Sequence, residues 1–317
     1  MAHVTLRQLG YFDALARHSH FGRAAAACAI SQPALSMQIK ELEESLGAVL
    51  IERGARQLRL TKFGEEAALR VRDILRSVDE LGDYARASRD RLAGRLRIGM
   101  IPTIAPYLLP TVMAKLTRMH PELDIHVREA LTSKLIQELA EGRLDTAIVA
   151  LPVSEPSLTE VALFAENFLL VRPGKDEGTP APSSERLREM RLLLLEEGHC
   201  FREQALSFCN TQSALPREVL DASSLSTLVQ MVSAGMGVTL IPEMAVAVET
   251  RSASVSVARF RKPQPSRTIG MIWRKTSPLA AQLVQISEVV RRSAGAARKQ
   301  NNGGSPARNP RKSATPS

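Results

Sequence analysis

No proline interrupts the chain from Phe63 to Arg91, and along it Ala67, Val71, Ile74, Val78, Leu81 and Ala85 recur at spacings of four, three, four, three and four residues. This is a heptad seam, and it predicts a single helix about 43 Å long at about 1.5 Å of rise per residue. An apolar stripe of that length has to be covered. The residues ahead of it are too few to build a core that covers the whole stripe, which favours a second copy of the chain as the partner. A helix lying on its own domain is the alternative.

The residues before the seam read as helix, helix, turn, helix. Leu6, Leu9, Phe12 and Leu15 recur at helical spacing, and FGRAAAACAI gathers small residues that let helices approach closely. Ser31 then caps a third helix, Pro33 sits in its first turn where a missing N–H costs little, and Leu35, Ile39, Leu42 and Leu46 form one apolar face. Gln32, Pro33, Ser36, Met37 and Lys40 share another face, centred about 130° away at about 100° per residue, so one face can pack while the other enters a groove. After Gly47, VLIERGARQLRLTKFG reads as two short strands around a turn carrying Arg53, Arg56 and Arg59, which is a wing. Cys28, in the alanine run, reads as structural packing.

Beyond Gly94 the texture changes. RLRIGMI, LDIHVREA and LDTAIVA read as strands separated by helices from Pro106 to His120 and from Ser133 to Gly142, a βαβαβ order that implies a parallel sheet. A second series follows with NFLLVRP, LLLLEE, a helix from about Phe201, VLDA, a helix from Ser224 to Ala234, VTLIP, VSVARF, RTIGMIW and a closing helix from Pro278. The expected fold is α/β, with a winged helix-turn-helix at 1–62, a dimerisation helix at 63–93 and a bilobed, periplasmic-binding-protein-like effector domain at 94–292. Residues 293–317 lack large apolar side chains and are expected to form a basic, disordered tail.

Charge is distributed unevenly. The net charge is +9, with 15 Lys and Arg against 12 Asp and Glu in residues 1–95, 7 against none in 291–317, and 20 against 21 between them. Basic ends suit nucleic acid, although a charged tail can also serve solubility alone. Three cysteines, Cys28, Cys200 and Cys209, exclude a disulfide framework of the secreted type and point to a reducing compartment. The start MAHVTLRQLG has no signal-peptide pattern, and the weakly charged stretch Thr227 to Val248 is too interrupted to span a membrane. A cytoplasmic protein without membrane partner, metal or cofactor is expected.

The segment AAAACAISQPALSMQIKELEESLGAVLIER, followed by the long helix and the bilobed α/β pattern, resembles the LysR-type transcriptional regulators. The resemblance covers about residues 3–292 and is most specific in the first 65. It implies a homo-oligomer, a dimer of dimers, that binds double-stranded promoter DNA and engages RNA polymerase. On the recognition helix Ser31, Gln32, Pro33 and Ser36 match family positions, Lys40 is the expected phosphate contact, and Arg53 and Arg56 reach from the wing. Met37 stands where many members carry a polar or basic residue.

Cys200 follows the strand LLLLEE and the residues Gly198 and His199, and it opens a helix; a helix N-terminus with a nearby His199 or Arg202 favours thiolate over thiol. GHCFREQALSFC, RIGMIPTIAPYLLP, REALTS, SAGMGVTLIP and RTIGM resemble the hydrogen-peroxide-sensing members of the same family, whose redox cysteines stand at this nine-residue separation. That resemblance implies oxidation of Cys200, a Cys200–Cys209 disulfide, activation of antioxidant genes, and reduction by a glutaredoxin or thioredoxin system. It also implies that Thr103, Thr132, His199 and Arg267 bind peroxide and stabilise the sulfur. Thr103 and Thr132 stand at the carboxyl ends of strands, where open α/β sheets place ligands. Read on their residues alone, Thr132 could be a helix N-cap and Arg267 a surface strand residue. Two rivals remain: a LysR-type regulator responding to a small metabolite in the cleft, and a thiol peroxidase or metal-binding protein using His199, Cys200 and Cys209. A Cys-x8-Cys pair with one adjacent His lacks the four-ligand spacing of a structural zinc site.

Overall fold

The computed structural model describes residues 4–52, 58–87, 92–208 and 220–303. The chain divides into two compact units, Met1–Arg89 and Asp90–Ser317. Among the described residues no helix is long and apolar enough to cross a membrane.

In the first unit α1 (Leu6–His18), α2 (Phe21–Ala27) and α3 (Gln32–Leu46) enclose a core of Leu9, Phe12, Leu15, Leu35, Ile39 and Leu42. Thr5 starts α1 with a capping box closed by Gln8, and Gly47 ends α3 in the left-handed conformation at φ +66. Leu46, expected in the apolar face, is exposed because α3 ends there. Among the described residues of the wing Ile51 bridges Leu60, and Glu43 of α3 accepts the backbone N–H groups of Leu50 and Ile51. Arg53 and Arg56 lie outside the described residues.

The seam helix, α4 (Lys62–Ala87), starts against the wing so closely that a Cβ on Gly64 would stand 2.2 Å from the Leu50 carbonyl oxygen. Its first heptad, Ala67 and Val71, is buried in the unit's own core, whereas Ile74, Val78 and Leu81 are exposed, Leu81 at 70%. The covering by the helix's own domain therefore accounts for part of the stripe. The small domain covers as far as its core reaches, and the rest of the stripe is bare in the single chain.

In the second unit β1 (Gly94–Met100), β2 (Leu123–Glu129) and β3 (Thr146–Leu151) are parallel in the order β2-β1-β3, with α5 (Ala105–Met119) and α6 (Thr132–Ala140) as their crossovers. β4 (Leu158–Pro173) runs through both halves of this unit. Beyond it come α7 (Ser184–Glu189), β5 (Leu193–Leu195), α8 (Cys200–Phe208), β6 (Leu220–Ala222), α9 (Leu225–Ser233), β7 (Thr239–Pro242), α10 (Val246–Glu249) and β8 (Val255–Ala258). β5 and β6 are parallel, and β7 and β8 pair with the far end of β4. β9 (Ser266–Arg274) returns antiparallel to both β3 and β4, so the sheet is mixed, and its first three strands carry the expected parallel βαβαβ order. The second half has its own core around Phe168, Leu193, Phe201, Leu228 and Ile241.

The closing helix, α11 (Ala280–Gly303), packs on α5 and corrects the expected tail boundary. It continues past residue 293, and Ser293 and Ala294 are fully buried. Small residues at these two positions are what close packing permits, so the absence of large apolar side chains there does not signal disorder. Residues 304–317 lie outside the described set.

Replacing the fully buried Leu42 by Ala is expected to lower the stability of the first unit by about 2–5 kcal/mol, through lost transfer energy and the cavity left behind. Urea unfolding followed by hydrogen exchange in α1 and α3 reads this change; no shift would show that α3 is not held through this face.

Candidate functional site

Three turns meet at the carboxyl ends of parallel strands, where the geometry of open α/β sheets leaves a crevice. The turn after β1 brings Ile101, Pro102 and Thr103, the start of α6 brings Leu131 and Thr132, and the turn after β5 brings Gly198, His199, Cys200 and Phe201; together they line one small pocket. Gly198 stands at φ +92, a conformation other residues rarely adopt, and this sharp turn lets Cys200 open α8 directly beside the pocket. Phe201 anchors α8 from below, 2% exposed and in edge contact with Phe168 at 4.8 Å between ring centroids.

Thr132 does not cap its helix. It is the first residue of α6, Leu131 is the N-cap without a side-chain bond, and the Thr132 hydroxyl is buried with no hydrogen-bond partner. A buried hydroxyl without a partner is costly, and at a pocket wall it is a donor and acceptor held ready for a ligand. Thr103 is 3% exposed and accepts a hydrogen bond at Oγ1 from Arg267 Nη1 at 2.8 Å.

Arg267 is not a surface strand residue. Its side chain is fully buried, paired with Glu166 at 2.9 Å, and its guanidinium lies 5.4 Å from the Phe201 ring centroid. It stands behind the pocket wall and reaches the pocket through Thr103. Arg202, two residues from the thiol, binds Asp221 and the Leu195 carbonyl. His199 does line the pocket, and burial holds its imidazole below the usual value, against a smaller opposing pull from Glu196. Cys209 lies outside the described residues, so its relation to Cys200 is not part of this geometry. Glu166 is the residue that sequence reasoning missed; an isolated Glu in the strand AENFLL carries no local signal of its partner 101 residues away.

Residues 6–65 match the bacterial regulatory helix-turn-helix protein, lysR family, and residues 89–295 match the LysR substrate binding domain. The chain belongs to the LysR family. It is 44% identical over 294 residues to a probable hydrogen peroxide-inducible genes activator of Streptomyces viridosporus, covering 90% of this chain and 93% of that protein. It is 40% identical over 292 residues to the DNA-binding transcriptional dual regulator OxyR of Escherichia coli, covering 91% and 95%. Full-length OxyR of Pseudomonas aeruginosa, solved as a cysteine-to-aspartate variant, is similar at TM-score 0.71 and 35% identity over 92% of this chain and 96% of that one. A hydrogen-peroxide-bound cysteine-to-serine variant of Corynebacterium glutamicum OxyR is similar at TM-score 0.67 and 33% identity, over 94% and 95%.

In the helix-turn-helix unit the face of α3 expected to read DNA is exposed. Ser31, Gln32, Pro33, Ser36, Met37 and Lys40 are all exposed, while Leu35 and Ile39 point into the core. Ser31 Oγ accepts the Ala34 N–H and so fixes the start of this helix, and Lys40 forms a solvent-exposed ion pair with Glu44. Cys28 ends α2 against the same core, where burial pushes its thiol pKa up, consistent with a packing role.

Two outcomes follow from the pocket. Thr132→Val, which keeps shape and loses no hydrogen bond, is expected to leave stability unchanged or raise it by about 1 kcal/mol; a loss larger than that in urea melts would reveal a partner for this hydroxyl. His199, held below its unfolded value, binds fewer protons folded than unfolded, so its contribution makes stability fall as pH drops through about 6.5 and level off below the folded pKa. The difference between native and His199→Asn urea midpoints, measured from pH 8 to 5, is expected to show that fall; a flat difference contradicts it.

Proposed function

We propose that this chain is a transcriptional activator that senses hydrogen peroxide through Cys200. The observation that carries the reading is the pocket: a cysteine at a helix N-terminus, beside a buried hydroxyl without a partner on Thr132 and a second hydroxyl on Thr103 held by a buried arginine. The peroxide-bound structure of the C. glutamicum relative and the names of the curated relatives support the same ligand.

The chemistry balances without a cofactor. The Cys200 thiolate attacks one peroxide oxygen, the S–O bond forms as the O–O bond breaks, and the departing oxygen leaves as hydroxide and is protonated to water; sulfur is oxidised to sulfenic acid and peroxide is reduced. Attack by the Cys209 thiolate on that sulfur then forms the disulfide and releases hydroxide, which takes up the thiol proton as a second water.

Helix geometry makes the second step a switch. From Cys200 to Phe208 α8 rises about 12 Å at about 1.5 Å per residue. The next Cα is only about 3.8 Å from that of Phe208, so an intact α8 keeps Cys209 beyond the Cα separation of about 7 Å that a disulfide tolerates. Disulfide formation therefore unwinds α8 and pulls Phe201 from Phe168 and Phe208 from Phe260. The effector unit then repacks against its partner copies, a dimer of dimers paired through the bare part of the α4 seam, and alters how the winged helices sit on promoter DNA and meet RNA polymerase. A glutaredoxin or thioredoxin system resets the thiols.

Thiol counting and non-reducing peptide mapping before and after one equivalent of peroxide test the reading: one Cys200–Cys209 disulfide is expected, without repeated turnover, and sustained consumption of reductant would assign an enzyme instead. Cys200→Ser is expected to abolish peroxide-induced expression while DNA binding persists, and Cys209→Ser to leave Cys200 as sulfenic or over-oxidised forms. Full induction in the Cys200→Ser protein overturns the assignment. Oxidation is expected to raise hydrogen exchange across 200–208 and change the footprint on the same promoter; disulfide with an intact α8 overturns the switch.

A further inference from the structure

Glu166 is 1% exposed and stands opposite Arg267 in the antiparallel register of β4 and β9. Its Oε2 accepts from Arg267 Nε at 3.0 Å and lies 2.9 Å from Nη2 in the same ion pair, and its Oε1 accepts the backbone N–H of Met244 at 3.0 Å. The guanidinium held this way donates from Nη1 to Thr103 Oγ1 at 2.8 Å and from Nη2 to the Thr103 carbonyl at 3.1 Å. One acceptor position of the Thr103 hydroxyl is thus filled by a cationic donor. The hydroxyl hydrogen is repelled from that N–H and biased toward the pocket, which Thr103 lines together with Cys200.

The strand geometry is built for this pairing. Ala162 faces Gly270 and Phe164 faces Ile269, so Leu163 is an extra residue bulged out of the register. Without the bulge Ala165 would stand opposite Arg267, and a methyl group cannot hold a guanidinium. Bulges re-aim side chains in this way next to functional sites.

We propose that Glu166 is the positioning residue of the peroxide site, acting through Arg267 to present the Thr103 hydroxyl as a donor to the departing peroxide oxygen. This rests on the peroxide-sensing reading above. Negative charge develops on that oxygen as the O–O bond breaks, and a donor already aimed there lowers the barrier. Glu166 itself touches neither the thiol nor the peroxide.

The test compares reduced full-length wild type, Glu166→Gln and Glu166→Asp, following the Cys200 peptide by mass spectrometry during reaction with hydrogen peroxide and, separately, with iodoacetamide. Alkylation reports the access and nucleophilicity of the thiol but needs no donor for a departing oxygen. Glu166→Gln is expected to slow peroxide oxidation about tenfold or more while alkylation stays within about twofold, because only one of the two reactions uses the aimed hydroxyl. Glu166→Asp, which keeps the charge on a shorter arm, is expected to fall between, and it carries the comparison if the Gln variant does not fold. In a Thr103→Val background the Gln effect is expected to vanish, as for residues acting through a shared group. Unchanged peroxide kinetics, an equal slowing of both reactions, or an undiminished effect in the Thr103→Val background overturns the proposal. Wild-type Cys200 that does not react with peroxide overturns the sensing reading itself, an outcome visible before any variant is made.

Discussion

The buried pair of Glu166 and Arg267 holds the effector unit's site together. Taking two charges out of water costs several kcal/mol per ion, and their attraction offsets this only with close geometry and full hydrogen bonding. Here both conditions are met: the carboxylate is shared between the guanidinium and the Met244 N–H, and the guanidinium reaches both Thr103 Oγ1 and the Thr103 carbonyl. Its planar face lies near the rings of Phe168 and Phe201, at 6.0 and 5.4 Å to their centroids. One side chain on β9 therefore touches β4, the turn after β1 and the first turn of α8. The net stability of such a pair is small; what it fixes is position.

Position matters because α8 is held more by packing than by its own propensity. Nine residues form too short a helix to persist alone in water. Its order depends on Phe201 and Ala205, both buried, and on the edge contact of Phe208 with Phe260. A helix in this regime can be firm enough to aim a thiol at a pocket and still be exchanged for another packing by a single covalent bond. The same Phe201 that follows Cys200 in α8 also packs near the arginine behind Thr103, so the placement of the thiol and of the Thr103 hydroxyl share one set of contacts.

The DNA-binding unit solves a different problem with simpler means. A small core of aliphatic residues and Phe12 fixes α3 by one face, Ser31 and Gly47 fix its ends, and Glu43 ties the wing to it, which leaves the opposite face free of structural duties. Asp13 of α1 pairs with Arg72 of α4, so the seam helix starts as an extension of this core before its stripe runs bare.

Much of this was legible in the sequence because it is local. Helical and heptad spacing located the first four helices, alternation and apolar runs located the strands, and the carboxyl-end rule put Thr103 and Thr132 where ligands sit, while only the family resemblance joined Cys200 to them. What the sequence did not reveal depends on contacts between distant segments. That Glu166 and not Ala165 meets Arg267 follows from one bulged residue, which shifts strand register without leaving a pattern in the composition. That Arg202 turns to Asp221, that Thr132 is left without a partner, and that Ser293 and Ala294 are buried under a continuing helix are likewise decided by what lies across the fold. Periodicity specifies which face of an element is apolar; which residues meet across two elements is set by register and close packing, and these exist only once the chain has folded.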